Sequence, residues 1–390
     1  MSESLNVSAE VRAMIERLIA FDTTSRNSNL ELIHYVRDYL KDLGVDSHLT
    51  FDDDKQKANL YATLGPTDRG GIALSGHTDV VPVDGQDWSS DPFEAVERDG
   101  LIYGRGACDM KGFLACALAL APRIAAADLK RPVHFALSYD EEVGCLGARV
   151  MLKALEASGR RPGICIIGEP TEMRIIEGHK GCCEYTTRFG GLAGHSSAPG
   201  LGVSAVEYAV RYAGRLLELR EELVARAPPG SRFDPPESTV QLGGIRGGVA
   251  HNVIADHCEL DWEVRPVVEA DIDFVKREIG AYVAGTLLPA MRAVHGSATI
   301  ETEVIAEVIG LEPMAKSEAC ELVAKLTGGN TREVVSFGTE AGLFQKRGIS
   351  TVVCGPGSIG QAHKADEFVA VEQLDQCLEM IGRLVAKLER

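Results

Sequence analysis

The 390-residue sequence has no long apolar run, no basic excess, no paired-cysteine motif, no internal repeat and no low-complexity segment. Its most apolar stretch, Phe113 to Pro122, is about half the ~20 residues a membrane helix needs. The opening segment MSESLNVSAEVRAMIE has neither a basic nor an apolar leader region, so no signal peptide is expected. Ten cysteines are scattered without a CxxC pair, which excludes the usual zinc-finger and thioredoxin spacings. Reduced thiols in a cytoplasm are the expectation. Lysine and arginine number 40 against 57 aspartates and glutamates, a formal charge of −17. Such a surface repels phosphate, so neither nucleic acid nor an anionic membrane is expected as a partner. With 45% hydrophobic and 25% charged residues, the composition is that of a globular protein. The length allows two to three domains.

Periodicity predicts helices over 9–22, 29–43, 113–126 and 145–158. Strands are predicted over 59–64, 71–75, 133–139 and 164–168; these are mostly continuous apolar runs, as strands buried on both faces require. The alternation argues for an α/β fold, a mixed sheet flanked by helices. Near residue 182 the style changes. An alternating strand at 184–189, a helix at 203–226, strands at 239–245 and 255–264, a helix at 270–287 and a strand at 298–308 follow. That β-α-β-β-α-β order is ferredoxin-like. After Pro313 the α/β style returns, with a helix at 315–327, a strand at 349–354 and a helix at 371–389. The expected organisation is a split catalytic domain, 1–181 with 309–390, and an inserted α+β domain, 182–308.

The ionisable residues that stand out follow apolar strands, where open α/β sheets place ligands. Ser75-Gly-His77-Thr-Asp79 ends one strand; Asp79 is either a metal ligand or the group that fixes the His77 tautomer. Gly104-Arg-Gly-Ala-Cys-Asp109-Met-Lys-Gly112 delivers one carboxylate before an apolar helix, where it could equally serve as an N-cap. Asp140-Glu141-Glu142 crowds three acids at a strand end, which costs energy unless a cation sits among them. Gly168-Glu169-Pro170 ends another strand, and His363 follows a glycine-rich loop. Histidine and carboxylate without thiolate suit a hydrolytic metal site. Five such side chains fit two metals sharing a carboxylate better than one. The loop Gly355-Pro-Gly357-Ser-Ile-Gly360 matches GxGxxG, but no helical period follows it, which argues against a dinucleotide. Its glycines are expected to offer backbone N–H groups to an anionic ligand group. Cys108, beside Asp109, is expected to be a packed neighbour rather than a nucleophile.

The ordered motifs GHTDVVPV, Trp88 with Asp91-Pro-Phe, GRGACDMKG, DEEVG, GEPT and AHKADEF resemble the M20 di-metal peptidase and deacylase family over essentially the whole chain. The resemblance implies two divalent ions, Zn²⁺ or Co²⁺. One would be held by His77, Asp109 and Glu169, the other by Asp109, Glu142 and His363. Glu141 would be the general base, and Asp79 would support a ligand. The inserted domain would be a lid and dimerisation module, giving a homodimer, and His195 in Gly194-His-Ser-Ser-Ala-Pro199 would complete the active site. Asn252 and Arg265 match carboxylate-binding positions. Gly338, Thr339 and Glu340, in Phe337-Gly-Thr-Glu-Ala-Gly, are expected near the substrate, Glu340 as partner of a δ-ammonium. The implied activity is hydrolysis of a small N-acyl amino acid, N2-acetyl-L-ornithine first. Desuccinylation of succinyl-diaminopimelate, deacetylation of acetyl-diaminobutyrate or acetylcitrulline, and dipeptide cleavage are the alternatives. The acidic excess weakly favours a cationic substrate.

Overall fold

The apolar runs of the first half stack into one sheet. The computed structural model describes residues 2–68 and 70–390, with side chains from residue 9 onward. The chain divides into two compact units: Met1–Gly178 with Pro313–Glu333 and Thr339–Arg390, and His179–Glu312 with Val334–Gly338. The segment Val334–Gly338, expected with the catalytic portion, falls in the second unit.

The eight-stranded sheet runs in the order Ser47–Phe51, Ala58–Leu64, Val133–Ser138, Ile72–His77, Ile164–Pro170, Ser350–Gly355, Ile175–His179, Arg332–Val335. Ile72–His77 lies parallel to both Val133–Ser138 and Ile164–Pro170. Every residue of these three strands is buried, which is why they read as mostly apolar runs rather than alternating ones. Ala58–Leu64 and Ser47–Phe51 add antiparallel strands at one edge.

The helix expected over 113–126 is two helices, Lys111–Ala119 and Ala121–Ala126. Pro122 sits in the first turn of the second, where its missing N–H costs nothing; inside a continuous helix it would break a hydrogen bond and clash. The sequence pattern also missed a small sheet, Val96–Arg98, Leu101–Tyr103 and Phe368–Ala370, whose three-residue strands are too short to show a period. It joins the glycine-rich segment before Asp109 to the segment after His363.

His134, in Val133–Ser138, is enclosed, and burial pushes its pKa down to about 4 from an ordinary 6.5. Below pH 6.5 the unfolded chain takes up a proton that the folded chain refuses until about pH 4. Stability is therefore lost as pH falls through that window, by about 3 kcal/mol at most. In urea titrations across pH 4–7, His134→Phe should show a shallower loss than the parent.

The second unit has a four-stranded antiparallel sheet in the order Thr239–Gly247, His257–Arg265, Cys182–Gly190, Thr299–Val308. Cys182–Gly190 and His257–Arg265 alternate buried and less buried positions, so one face is covered and the other open. The helix Ala205–Val224, capped by Ser204 Oγ on the Glu207 N–H, packs on the covered face. The helix Glu269–Tyr282 packs against that helix. Tyr185, Phe189, Leu216, Leu260, Trp262 and Val275 are among the residues of this core. Among the described residues no helix is long and apolar enough to cross a membrane.

Candidate active site

Three parallel strands end side by side at one edge of the large sheet, and each carries acids or a histidine at or just beyond its carboxyl end. His77 closes Ile72–His77, Glu169 lies near the end of Ile164–Pro170, and Asp140-Glu141-Glu142 follows Val133–Ser138. Asp109 comes from the loop before Lys111–Ala119, and His363 from the loop after Ser350–Gly355.

The carboxylate of Asp109 stands between two groups. Its Oδ1 is 3.0 Å from His77 Nε2, which is also 3.7 Å from Glu169 Oε1. Its Oδ2 is 3.5 Å from His363 Nε2, which is 3.1 Å from Glu142 Oε2. Ligand atoms of His77, Asp109 and Glu142 lie within 4.8 Å of one another, as do those of His77, Glu141 and Glu169. His77, Asp109 and Glu169 are buried, whereas the His363 side chain is 53% exposed.

Charge makes this arrangement unstable without cations. Burial drives the carboxyls of Glu141, Glu142 and Glu169 upward, and the neighbouring carboxylates add to it. Burial would raise Asp109 too, but the two histidines hold it low. Hydrogen bonds to Asp109 and Glu142 raise His363 to about 10. Glu142 Oε1 and Glu169 Oε1 are buried without a hydrogen-bond partner. Buried carboxylate oxygens without a hydrogen bond, and oxygen/nitrogen donors without thiolate, are what a divalent ion requires, so the residues fit the implied metals.

The supporting contacts lie partly outside the sequence expectation. His77 Nδ1 donates to the backbone carbonyl of Asp79 at 2.9 Å, with the Asp79 carboxylate at 3.6 Å. The tautomer is therefore fixed by the main chain. The carboxylate instead accepts the N–H groups of Glu141 and Glu142, at 3.1 and 3.3 Å, and the Ser25 hydroxyl at 2.8 Å. It aims the Glu141–Glu142 turn. Asp140, the third acid of that turn, pairs with Lys57 Nζ at 2.6 Å, which removes one of the three crowded charges. Cys108 is buried with Sγ on the Ser358 carbonyl at 3.2 Å, and burial pushes its thiol far up, so it is a packed neighbour.

Glu367 is the residue the sequence reading overlooked. Fully enclosed, it accepts the N–H groups of Cys108 at 2.8 Å, Asp109 at 3.0 Å and Gly106 at 3.2 Å, and pairs with buried Arg105. It thereby ties the loop that carries Asp109 to the segment that carries His363. Its motif, AHKADEF, was visible, but nothing local marks which acid turns inward. Glu367→Gln should weaken metal binding about 10–100-fold, by competition with a chelating dye, because the amide keeps the shape and loses the charge on those N–H groups.

Two expected substrate contacts are corrected. Thr339 is buried, and its Oγ1 accepts the Ala341 N–H at 3.1 Å at the start of the helix Ala341–Lys346. Glu340 is also buried, with its carboxyl on Ser75 Oγ at 2.6 Å and Ser138 Oγ at 2.7 Å. Burial raises its pKa. Enclosed and bonded within the sheet, it is not placed to meet a substrate ammonium. The glycine loop is corrected as well: the N–H groups of Gly355 and Gly357 are taken by Thr171 Oγ1 and Gln373 Oε1, so neither is offered to a ligand.

The remaining expected residues lie in the second unit. His195 is exposed on the short strand Gly194–His195, paired with Val253–Ile254. Its Nδ1 accepts the Ser197 N–H at 3.2 Å, which leaves the proton on Nε2 in the neutral ring. Asn252 is exposed, with its main-chain carbonyl accepting the Ser196 N–H at 3.1 Å. Arg265 Nε and Nη2 both reach Glu263 Oε2, at 3.1 and 3.0 Å. Gly338 closes the segment Val334–Gly338.

A helix-flanked mixed sheet with a two-part histidine–carboxylate cluster at its strand ends defines a metal-dependent hydrolase. Residues 73–387 match peptidase family M20/M25/M40, and the chain belongs to that family. It is 36% identical, over 92% of its length and 91% of the relative's, to an acetylornithine deacetylase of Shigella sonnei. Its fold is shared with an M20 family metallo-carboxypeptidase, Sso-CP2, from Sulfolobus solfataricus, at TM-score 0.75 and 17% identity, covering 97% of this chain and 99% of that one. It is also shared with the Bacillus subtilis YXEP protein, a dinuclear metal-binding peptidase of the M20 family, at TM-score 0.61 and 17% identity, covering 98% and 99%.

Proposed function

We propose that the protein removes the acetyl group from N2-acetyl-L-ornithine, giving L-ornithine and acetate. One observation carries the reading: the Asp109 carboxylate reaches His77 on one side and His363 on the other, with Glu141 beside them. The likeness to the Shigella deacetylase supports the choice of substrate. Two divalent ions, zinc or cobalt, would be held by His77, Asp109 and Glu169 and by Asp109, Glu142 and His363, as the dinuclear relative suggests. When bound, such ions polarise the amide carbonyl and acidify water.

The chain's own side chains do the rest. Glu141 takes a proton from the attacking water and delivers it to the amide nitrogen, so the new C–O bond forms and the C–N bond breaks with protons conserved. Asp79 holds the Glu141 backbone, and with it the base, in place. His195, protonated on Nε2, would donate to the carbonyl oxygen as it gains charge. Asn252 and Arg265 would hold the α-carboxylate, and Gly338 would line the substrate. Dimerisation through the second unit and a cytoplasmic location belong to the same reading.

The test is a panel of N-acetyl-L-ornithine, N-acetyl-L-citrulline, N2-acetyl-diaminobutyrate, N-succinyl-diaminopimelate and an unblocked dipeptide, with added Zn²⁺ or Co²⁺. N-acetyl-L-ornithine is expected to show the highest kcat/KM by at least about tenfold, the scale of one net hydrogen bond. A higher value for the succinylated substrate or the dipeptide overturns the reading.

A further inference from the structure

The turn that presents His363 has an unfavourable backbone. His363 and Asp366 are both left-handed, with φ of 64° and 54°. A residue with a Cβ keeps that conformation only where its surroundings impose it. The His363 side chain is 53% exposed, so no enclosing core fixes its ring. Its main chain must be held from outside the turn.

The holding contacts come from residues 86–89, in the loop between Ile72–His77 and Val96–Arg98. This loop carries Trp88, which the catalytic reading leaves without a role. Gln86 Nε2 donates to the main-chain carbonyl of His363 at 2.9 Å. Ser89 donates through its N–H and through its hydroxyl to Asp366 Oδ1, both at 2.9 Å. Each left-handed residue of the turn thus has its own anchor in that loop.

The direction of the Gln86 amide is determined by its other partners. Its Oε1 accepts from Arg105 Nη2 at 2.6 Å and from the Trp88 indole Nε1 at 3.1 Å. Guanidinium and indole only donate, so the amide oxygen faces them and the amide NH2 faces the His363 carbonyl. Arg105 is itself fixed. It is buried, pairs through Nη1 with Glu367 at 2.5 Å, donates to the Lys364 carbonyl at 3.3 Å, and lies 5.1 Å from the centre of the Trp88 ring. A chain of hydrogen bonds therefore runs from the enclosed Arg105–Glu367 pair, through Gln86, to the exposed histidine.

We propose that Gln86 is the positioning residue for His363: its amide, aimed by Arg105 and Trp88, holds the histidine main chain so that the imidazole stays against Asp109 and Glu142. The proposal rests on the reading of His363 as a ligand of one of two ions. A side chain that acts through one ligand's backbone affects the ion that ligand holds and spares the ion assigned to His77, Asp109 and Glu169. The test titrates the metal-free full chain with Zn²⁺ in competition with a chelating dye. Gln86→Met keeps the length of the side chain and removes the NH2. Gln86→Glu keeps an acceptor for Arg105 and Trp88 and replaces the NH2 by an oxygen, so it decides the matter if Gln86→Met does not fold. Each variant is expected to lose about tenfold or more in affinity for one ion, with the other ion unchanged. The same substitutions in a His363→Ala background should cost the remaining ion nothing further, because the residue they position is gone. A purely structural role would weaken both ions and would add to His363→Ala. Parental affinity in the variants, equal loss from both ions, or a further loss in the His363→Ala background overturns the proposal. Retention of both ions by His363→Ala alone overturns the ligand reading, and this proposal with it; loss of one ion there beside parental Gln86 variants overturns the role of Gln86 only.

Discussion

Glu141→Gln is expected to retain two metal ions per chain and to lose about 10²–10⁴-fold in kcat, the range a general base supplies. The side chain sits among acids that burial and mutual charge make more basic, so in the metal-free chain it is readier than a free carboxylate to accept a proton. Glutamine keeps the volume and the backbone, and the backbone N–H stays on the Asp79 carboxylate. The turn should therefore keep its aim, and metal content by elemental analysis should match the parent. A variant with parental kcat sinks the assignment of the base. A variant that loses metal along with activity makes Glu141 a ligand, which its closeness to His77 and Glu169 permits.

Asp109→Ala is expected to carry almost no metal after dialysis and to show only background hydrolysis. Its two oxygens face different partners, Oδ1 toward His77 and Oδ2 toward His363, so one truncation removes a donor from each group. His363→Ala is the contrast. Its ring lies at the exposed rim and meets Glu142 and Asp109, so the variant should lose about one ion of the two. Equal loss from both variants would show that the cluster does not divide at Asp109.

Much of the architecture was legible because its signals are local. A strand buried on both faces is mostly apolar rather than alternating, and the runs around Leu74, Phe135 and Ile166 are. A half-covered sheet must alternate, and Cys182–Gly190 does. The helix expected over 113–126 failed at Pro122 because composition outweighed a single residue in the pattern. Thr339 and Glu340 misled for another reason. The resemblance set both near the substrate, yet Ser75 and Ser138, from strands more than 200 residues earlier, supply the hydroxyls that let Glu340 be buried.

The sequence by itself determined the fold class and the side chains able to carry the chemistry. Each strand's hydrophobicity and the polar residues at its end are written in neighbouring positions. Only the tertiary structure decided how those side chains divide the work. Parallel pairing sets His77, Glu169 and the Asp140–Glu142 turn at one edge, and it leaves Tyr61 and His134 enclosed at the other. Glu367 reaches Asp109 across 258 positions of chain. Such contacts depend on where separate elements meet, and a short window of sequence holds no trace of that meeting.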